Sequence, residues 1–573
     1  MSAPAVRADA PAAGTSTDTF VQWWSAPGRP GWVSDGHLGI GLPLSYAGLV
    51  RGGWSLDDAT LSSASPAPGL VEAQTPLAWA DSAAVVVGEN AAWDGFGASI
   101  ARAETFLTTS LSRRPRAVFT FVNGGSAMER NSLFLARSDR QHWLRLGSTG
   151  QRRGGVGALD LSGEHLWTID GGLRRGAHTY RGRFTQRGIG ASLAYPLRES
   201  GRGESGEIGH DWARGAWRSS VTIERGQDAR VSSDANALFS GYLEARRDAQ
   251  QSRVLTELTH TLGERVEGLR LWARRGQVVR RSSDSLRTEW NESAVWAASR
   301  LVRAWQGGMV ELQLGGGWSD AAARKHERAQ FAPGFVWRYG DEQVRLKLFT
   351  ERVVDPIWSD LSPGVKPFVQ DSWVGGLEAG VGSPKRRWLD GALLLGRTGG
   401  KATLVPYPLR DVQLRLGYLA EARRKEFTLV TLASGVQGRW GSLEGSGFAL
   451  ARDRDGQRWV DPGVGGRIAA ETGFRAFTGD LGVRLRLEGA YVGSRETDIG
   501  SSLAGGFDEQ VLPGYATSAA SLAITLGDAT MLVRADNLED ERRPQVWLDL
   551  LTGEPARGAG RQVRAELIWP FFN

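Results

Sequence analysis

Apolar and polar residues alternate one by one along much of this chain. Near its end Val563, Ala565, Leu567, Trp569 and Phe571 take one set of positions, and Gln562, Arg564 and Glu566 take the other. Side chains of an extended strand point alternately to opposite faces, so this pattern predicts a strand with one apolar and one charged face. The same alternation recurs upstream. Val310, Leu312, Leu314 and Trp318 oppose Glu311 and Gln313, and Val344, Leu346 and Leu348 oppose Gln343, Arg345 and Lys347. Val412, Leu414, Leu416 and Tyr418 oppose Gln413, Arg415 and Glu421, and Leu481, Val483, Leu485, Leu487 and Tyr491 oppose Arg484, Arg486 and Glu488. Somewhat more than twenty such segments of about 8–12 residues follow Arg116, separated by polar or Gly-rich turns.

The apolar faces are long and repeated, with no long helix to cover them and no fixed period of a propeller or solenoid. The expected fold is all-β, a transmembrane antiparallel β-barrel whose apolar face meets lipid and whose charged face meets a wet lumen. A soluble sandwich or propeller is the alternative. No segment reaches the roughly 20 apolar residues of a membrane helix, and a barrel needs none, because only every second residue faces lipid. A charge on the lipid face costs about 2–4 kcal/mol at mid-bilayer, so Arg345, Lys347, Arg415, Arg484, Arg486 and Arg564 are expected to face the lumen. Two readings of that face stand open. One is an anion-attracting lumen. The other is a ladder of wall salt bridges with Glu311, Glu421, Glu488 and Glu566 as partners. Longer polar connections are expected at 197–209, 351–372, 398–410, 452–463, 493–514 and 539–559, on the extracellular side. Short ones such as Tyr339-Gly340-Asp341-Glu342 suit the periplasmic side.

Composition agrees with many turns and with aromatic girdles: among 573 residues there are 76 Gly and 23 Trp. The chain has no Cys, which excludes disulfides and cysteine-ligated metal. Net charge is +6, but the Arg residues are spread through alternating strands rather than gathered into one patch, which argues against nucleic acid as a partner. The seven His residues form no His-x-x-x-His spacing, and neither a Gly-x-Ser-x-Gly elbow nor a Gly-Lys-Ser phosphate loop is present. No catalytic, cofactor-binding or metal-ligating residue is therefore assigned, and the chain is read as a non-enzyme. Met1 to Thr19 lack an apolar signal core, so the export leader is expected to have been removed or the start placed differently. Residues 1–22 are expected to be disordered. Residues 23–110, rich in Ala, Gly, Ser and Pro with short strands, form a separate plug-like unit, and 111–573 form the barrel.

Three segments carry a resemblance to the TonB-dependent receptors. At the end, Leu512-Pro513-Gly514-Tyr515, then Asn537-Leu538-Glu539-Asp540, then Gly560-Arg561 looks like that family's closing hairpin, its Asn-Leu-x-Asp turn and its Gly-Arg entry to the last strand. Pro356-Ile357-Trp358-Ser359-Asp360-Leu361, followed by Asp371-Ser372-Trp373 and Gly376-Leu377-Glu378-Ala379-Gly380, resembles its mid-barrel loop and the strand after it. Val85 to Ala98 is similar to the end of the family's plug. Val87 stands where Arg is usual and Glu89 where Pro is usual, and Val50-Arg51-Gly52 matches the plug's other Arg-Gly strand.

The resemblance implies an outer-membrane barrel of about 22 strands with a short, degenerate N-terminal plug. It implies import of a scarce, bulky nutrient such as a metal chelate, cofactor or glycan, bound by extracellular loops and released when the TonB energy-coupling protein pulls on the plug. Asp18-Thr19-Phe20-Val21 has the place and character of the TonB-contacting segment. The expected partners are outer-membrane lipid, TonB and an unidentified extracellular ligand. The alternative is a passive, porin-like channel without energy coupling.

Overall fold

The computed structural model describes residues 116–571 apart from parts of the connections between strands, and, before residue 116, Trp93 and seven short strands. Those seven are β1 (Trp32–Val33), β2 (Ser45–Tyr46), β3 (Val50–Arg51), β4 (Gly53–Leu56), β5 (Ala59–Thr60), β6 (Ala80–Val87) and β7 (Ala101–Leu107). β1, β2 and β3 form one sheet; β5, β4, β7 and β6 form another, in which β4 and β7 run parallel.

Among the described residues, twenty-two strands then close into one antiparallel barrel. The first eleven are β8 (Arg116–Gly124), β9 (Met128–Ser138), β10 (His142–Arg152), β11 (Asp160–Arg175), β12 (His178–Ser192), β13 (Leu197–Arg214), β14 (Trp217–Asp234), β15 (Glu244–Leu262), β16 (Arg265–Ser282), β17 (Arg287–Trp305) and β18 (Gly308–Ala321). They are followed by β19 (Arg328–Tyr339), β20 (Val344–Ile357), β21 (Phe368–Gly382), β22 (Arg387–Leu404), β23 (Tyr418–Gly438), β24 (Gly441–Arg452), β25 (Val464–Ala476) and β26 (Leu481–Val492). A small hairpin, β27 (Arg495–Thr497) and β28 (Gln510–Leu512), stands in the connection to β29 (Tyr515–Leu526). After β30 (Ala529–Asp536) a second one, β31 (Pro544–Leu548) and β32 (Pro555–Arg557), precedes the last strand, β33 (Gln562–Phe571). The seam closes where β33 pairs with β8, from Arg564↔Gly124 to Phe571↔Ala117.

The connections alternate in length. At one end lie tight turns such as 176–177, 215–216, 263–264, 439–440 and 527–528; at the other lie 453–463, 493–514 and 537–561. Barrels of this class place short turns in the periplasm and long loops outside. Gly176, Gly215, Gly263 and Gly527 open their two-residue turns at φ between +56° and +60°. Glycine enters that region without a Cβ clash, and the turn then follows the strand twist.

The outer face follows the sequence alternation. Leu312, Leu314 and Trp318 are exposed while Glu311 and Gln313 between them are buried. Leu485 and Leu487 are exposed around buried Arg486, and Val563 and Trp569 are exposed on the strand that buries Arg564 and Glu566. Ile208 reaches 71% exposure. Such a continuous apolar surface is stable against lipid, not against water. Tyr180, Trp217, Tyr339, Trp440, Phe474, Phe477 and Trp569 ring the short-turn end, the position of an interfacial aromatic girdle.

Several expected loops are strands. Residues 197–209 belong to β13, 351–357 to the end of β20, and 398–404 to the end of β22. Apart from Ile208 and its neighbours, these parts lie toward the long-connection end, where no lipid demands an apolar face, so polar sequence does not mark a loop there. The connections at 453–463, 493–514 and 537–561 agree closely with expectation. Val412, Leu414 and Leu416 lie outside the described residues; β23 is described from Tyr418.

Candidate functional site

The wall of the lumen carries a belt of ion pairs held in place by the strand register. On β10 the Arg145 guanidinium lies 2.8 Å from Asp170 of β11. The same carboxylate accepts the Trp143 indole N–H at 3.1 Å and the Arg183 Nε–H at 3.0 Å. Glu207 of β13 continues the chain 3.3 Å from Arg181, which also donates to Thr222 at 2.8 Å. Arg253 grips both oxygens of Glu224, at 2.7 and 3.0 Å. Arg270 pairs with Glu257 at 2.8 Å, and Arg300 with Glu311 at 2.6 Å. Gln313 donates to that same Glu311.

The far wall centres on Glu488 of β26. Arg467 lies 2.7 Å from its Oε2, Arg486 donates to Oε1 at 2.8 Å, and Arg534 reaches both oxygens at 3.2 and 3.1 Å. Arg534 sits two strands away, and the residues between them on β29 are Ala519 and Ser521. Their small side chains let the guanidinium cross. Arg534 also donates to Asp536 at 2.7 Å, and Arg564 lies 3.7 Å from Asp536. Glu471 and Glu444 stand 3.4 and 3.7 Å from Arg486. Every guanidinium of this group faces at least one carboxylate, as low-dielectric surroundings require.

Of the residues singled out from sequence, Arg484, Arg486 and Arg564 alternate with outward Leu485, Leu487 and Val563, and Arg486 and Arg564 are buried. The Arg484 stem lies over Gly473, its register partner. Arg345 and Lys347 are on β20, paired with Arg338 and Val336 on one side and with Gly380 and Glu378 on the other. Arg415 and Asp18-Thr19-Phe20-Val21 lie outside the described residues. Among the acids expected as partners, Glu311 and Glu488 hold the pairs given above, and Glu566 is buried.

Among the described residues, one from before the barrel reaches its wall. Trp93 is buried in a cluster with Trp272, Ala294, Trp296 and Ala298, against which Leu255 also packs. Arg270 lies 4.8 Å from the centre of the Trp93 ring, a cation–π contact. Gly268 makes room for it: a Cβ there would come within 2.9 Å of the indole. Trp272 and Arg270 share the face opposite exposed Leu269 and Leu271, so Trp93 stands on the lumen side. The arginines of β10 to β17 and Trp93 escaped the sequence reading. Their alternation is diluted by Gly, Ser and Thr, and Trp93 sits in a segment with no period. Among the described residues no group of three or more His, Cys, Asp or Glu is placed to hold a metal.

The closing loop explains its own motif. Asn537 and Asp540 adopt φ of +56° and +60°. The Asp540 carboxylate accepts the Arg561 backbone N–H at 2.6 Å, Arg561 donates to the Leu538 carbonyl, and Asn537 donates to the Glu541 carbonyl at 2.8 Å. A Cβ on Gly560 would meet Asp540 at 2.5 Å. The Asn-Leu-x-Asp and Gly-Arg segments, twenty residues apart in sequence, are thus two halves of one clasp.

No protein-family model and no curated relative matches the sequence. The fold, in contrast, is shared with solved structures. The copper transporter OprC superposes with a TM-score of 0.71 at 11% identity, over 95% of each chain. The FrpB iron transporter of Neisseria meningitidis, in an apoprotein form, gives 0.69 at 10% identity over 92% of this chain and 93% of its own. The siderophore receptor PirA of Pseudomonas aeruginosa gives 0.66 at 12% identity over the whole of both chains. The chain therefore has the β-barrel fold of the TonB-dependent receptors.

Proposed function

We propose that this barrel is a gated importer of a scarce, bulky nutrient, a metal chelate, cofactor or glycan, with residues 1–22 as its N-terminal segment, 23–110 as plug and 111–573 as barrel. The observation that carries the reading is Trp93, packed against the lumen wall on Arg270. A residue from the N-terminal region held at the inner wall is what a plug requires and an open channel does not. The lumen arginines are matched by carboxylates, which supports a wall ladder that stiffens the barrel over an anion-attracting pore. Neighbours of this fold are named as copper and iron transporters and siderophore receptors, which favours the metal-chelate class. In this reading the protein does no covalent chemistry. It binds at the outer loops and plug apex, and TonB, engaging Asp18-Thr19-Phe20-Val21, supplies the work of release.

Single-channel conductance in planar bilayers tests this. The full chain is expected to be closed, and a chain lacking residues 1–110 to conduct steadily. Steady conductance from the full chain would mean that the N-terminal region leaves the lumen open, and the passive channel would replace the importer.

A further inference from the structure

One strip of the outer wall, on β14 to β18, is built to hold a particular lipid. The register carries Arg225 to Ser252, Arg275 and Ser293 in a single row. The next row toward the short turns is Ile223, Val254, Ala273, Val295 and Trp318. The next row the other way is Gln227, Gln250, Gln277 and Asn291. The arginines therefore stand on the extracellular edge of the lipid belt, apolar below and amide-rich above.

Two features coincide on this strip. First, Arg225 and Arg275 are exposed and, among the described residues, have no acid partner. Three other exposed arginines, in contrast, each have an acid: Arg202 has Glu204, Arg246 has Asp248 and Arg265 has Glu267. Second, the belt beneath Arg275 is hollowed by a groove of about 420 Å³ whose lining includes Val254, Leu271, Ala273, Val295, Ala297 and Gly316. Ala273, Ala297 and Gly316 give it depth between larger neighbours.

We propose that this strip binds a phosphate-bearing lipid of the outer leaflet, the phosphate between Arg225 and Arg275 and an acyl chain in the groove. The two strands that bear the arginines flank a single strand, so their Cα positions are about 9–10 Å apart. Two forked guanidiniums at that spacing converge on one tetrahedral anion, and the Ser252 hydroxyl lies between them. The groove opens on the lipid-facing side, which makes its occupant a chain already dissolved in the leaflet. The proposal rests on the membrane-spanning fold and not on transport.

The test uses the full chain in detergent and measures binding of diphosphorylated lipid A, dephosphorylated lipid A and inorganic phosphate by native mass spectrometry. The intact protein is expected to bind the phosphorylated lipid about tenfold or more tightly than the dephosphorylated one. In R225Q/R275Q that preference is expected to vanish, and in A297F the phosphorylated lipid is expected to weaken with both arginines in place. Ala273→Leu is a second groove-filling variant, and heat-modified gel mobility confirms that each barrel is folded. Equal preference in the intact protein and R225Q/R275Q overturns the proposal. So does inorganic phosphate binding as tightly as the lipid with neither groove variant having any effect, which leaves a phosphate site and no lipid site.

Discussion

The Glu488 carboxylate receives guanidinium groups from β25, β26 and β30 at once. Removing its charge leaves three buried cations with too few counterions. Glu488→Gln is expected to lower barrel stability by about 3–5 kcal/mol, read as a shift in the denaturant midpoint of the detergent-solubilised protein. Asp139, in the turn between β9 and β10, acts locally. It accepts the backbone N–H groups of His142 and Gln141 at 2.6 and 2.7 Å, and these bonds hold its pKa below the ordinary 3.8, at about 2. A depressed folded-state pKa gives stability that is complete above the ordinary value and is lost as pH falls toward the folded one. Asp139→Ala is therefore expected to flatten the pH dependence of stability between about 4 and 2, followed by acid titration of both proteins. Residue-level legibility depended on neighbours. Arg484, Arg486 and Glu488 were readable because Leu485 and Leu487 alternate with them. Arg145 and Asp170 form an equally close pair, yet the partners lie on different strands, and sequence alone does not give the register that joins them.

At the scale of the element, the strands owe their pairing to more than alternation. Trp143 faces Gly172, Trp296 faces Gly317, Trp388 faces Gly435 and Phe448 faces Gly465 across the register. In each pair the aromatic ring or its backbone occupies the space a Cβ would need. A large ring thus covers a bare backbone on the adjacent strand, and this fixes register where alternation alone permits a slip. The loop clasp is the element most clearly written in sequence. Its Asn, Asp, Gly and Arg each have a geometric duty, so the spacing is tightly constrained. Gly560→Val is expected to break the clasp, driving Asp540 off the Arg561 N–H and destabilising the β30–β33 connection by about 1–3 kcal/mol. Limited proteolysis at 541–559 is expected to speed up while the barrel stays folded. The error over residues 197–209 came from treating polar sequence as loop. A strand beyond the lipid belt has no apolar side to show.

At the scale of the molecule, the barrel, its approximate strand number and three of the six long loops were legible in the sequence, because lipid imposes one rule on every strand that crosses it. It gave little about what stands inside, where each contact answers to a local partner. Strand lengths are also unequal around the ring. β13 to β17 run 18–19 residues, whereas β26, β29, β30 and β33 run 8–12. With a 45° tilt the long strands rise roughly 40 Å, well past a lipid belt of about 25 Å, while the short ones rise roughly 19–28 Å, about the height of the belt itself. The rim is thus uneven, high along β13–β17 and again at β22 and β23, which run 18 and 21 residues, and low at β26–β33. Particles arriving at this rim meet two raised arcs of wall and, along β26 to β33, a low sill interrupted by the two longest connections, 493–514 and 537–561. A bulky solute, a phage tail or an antibody would find this wall lowest along the arc whose connections carry the two small hairpins.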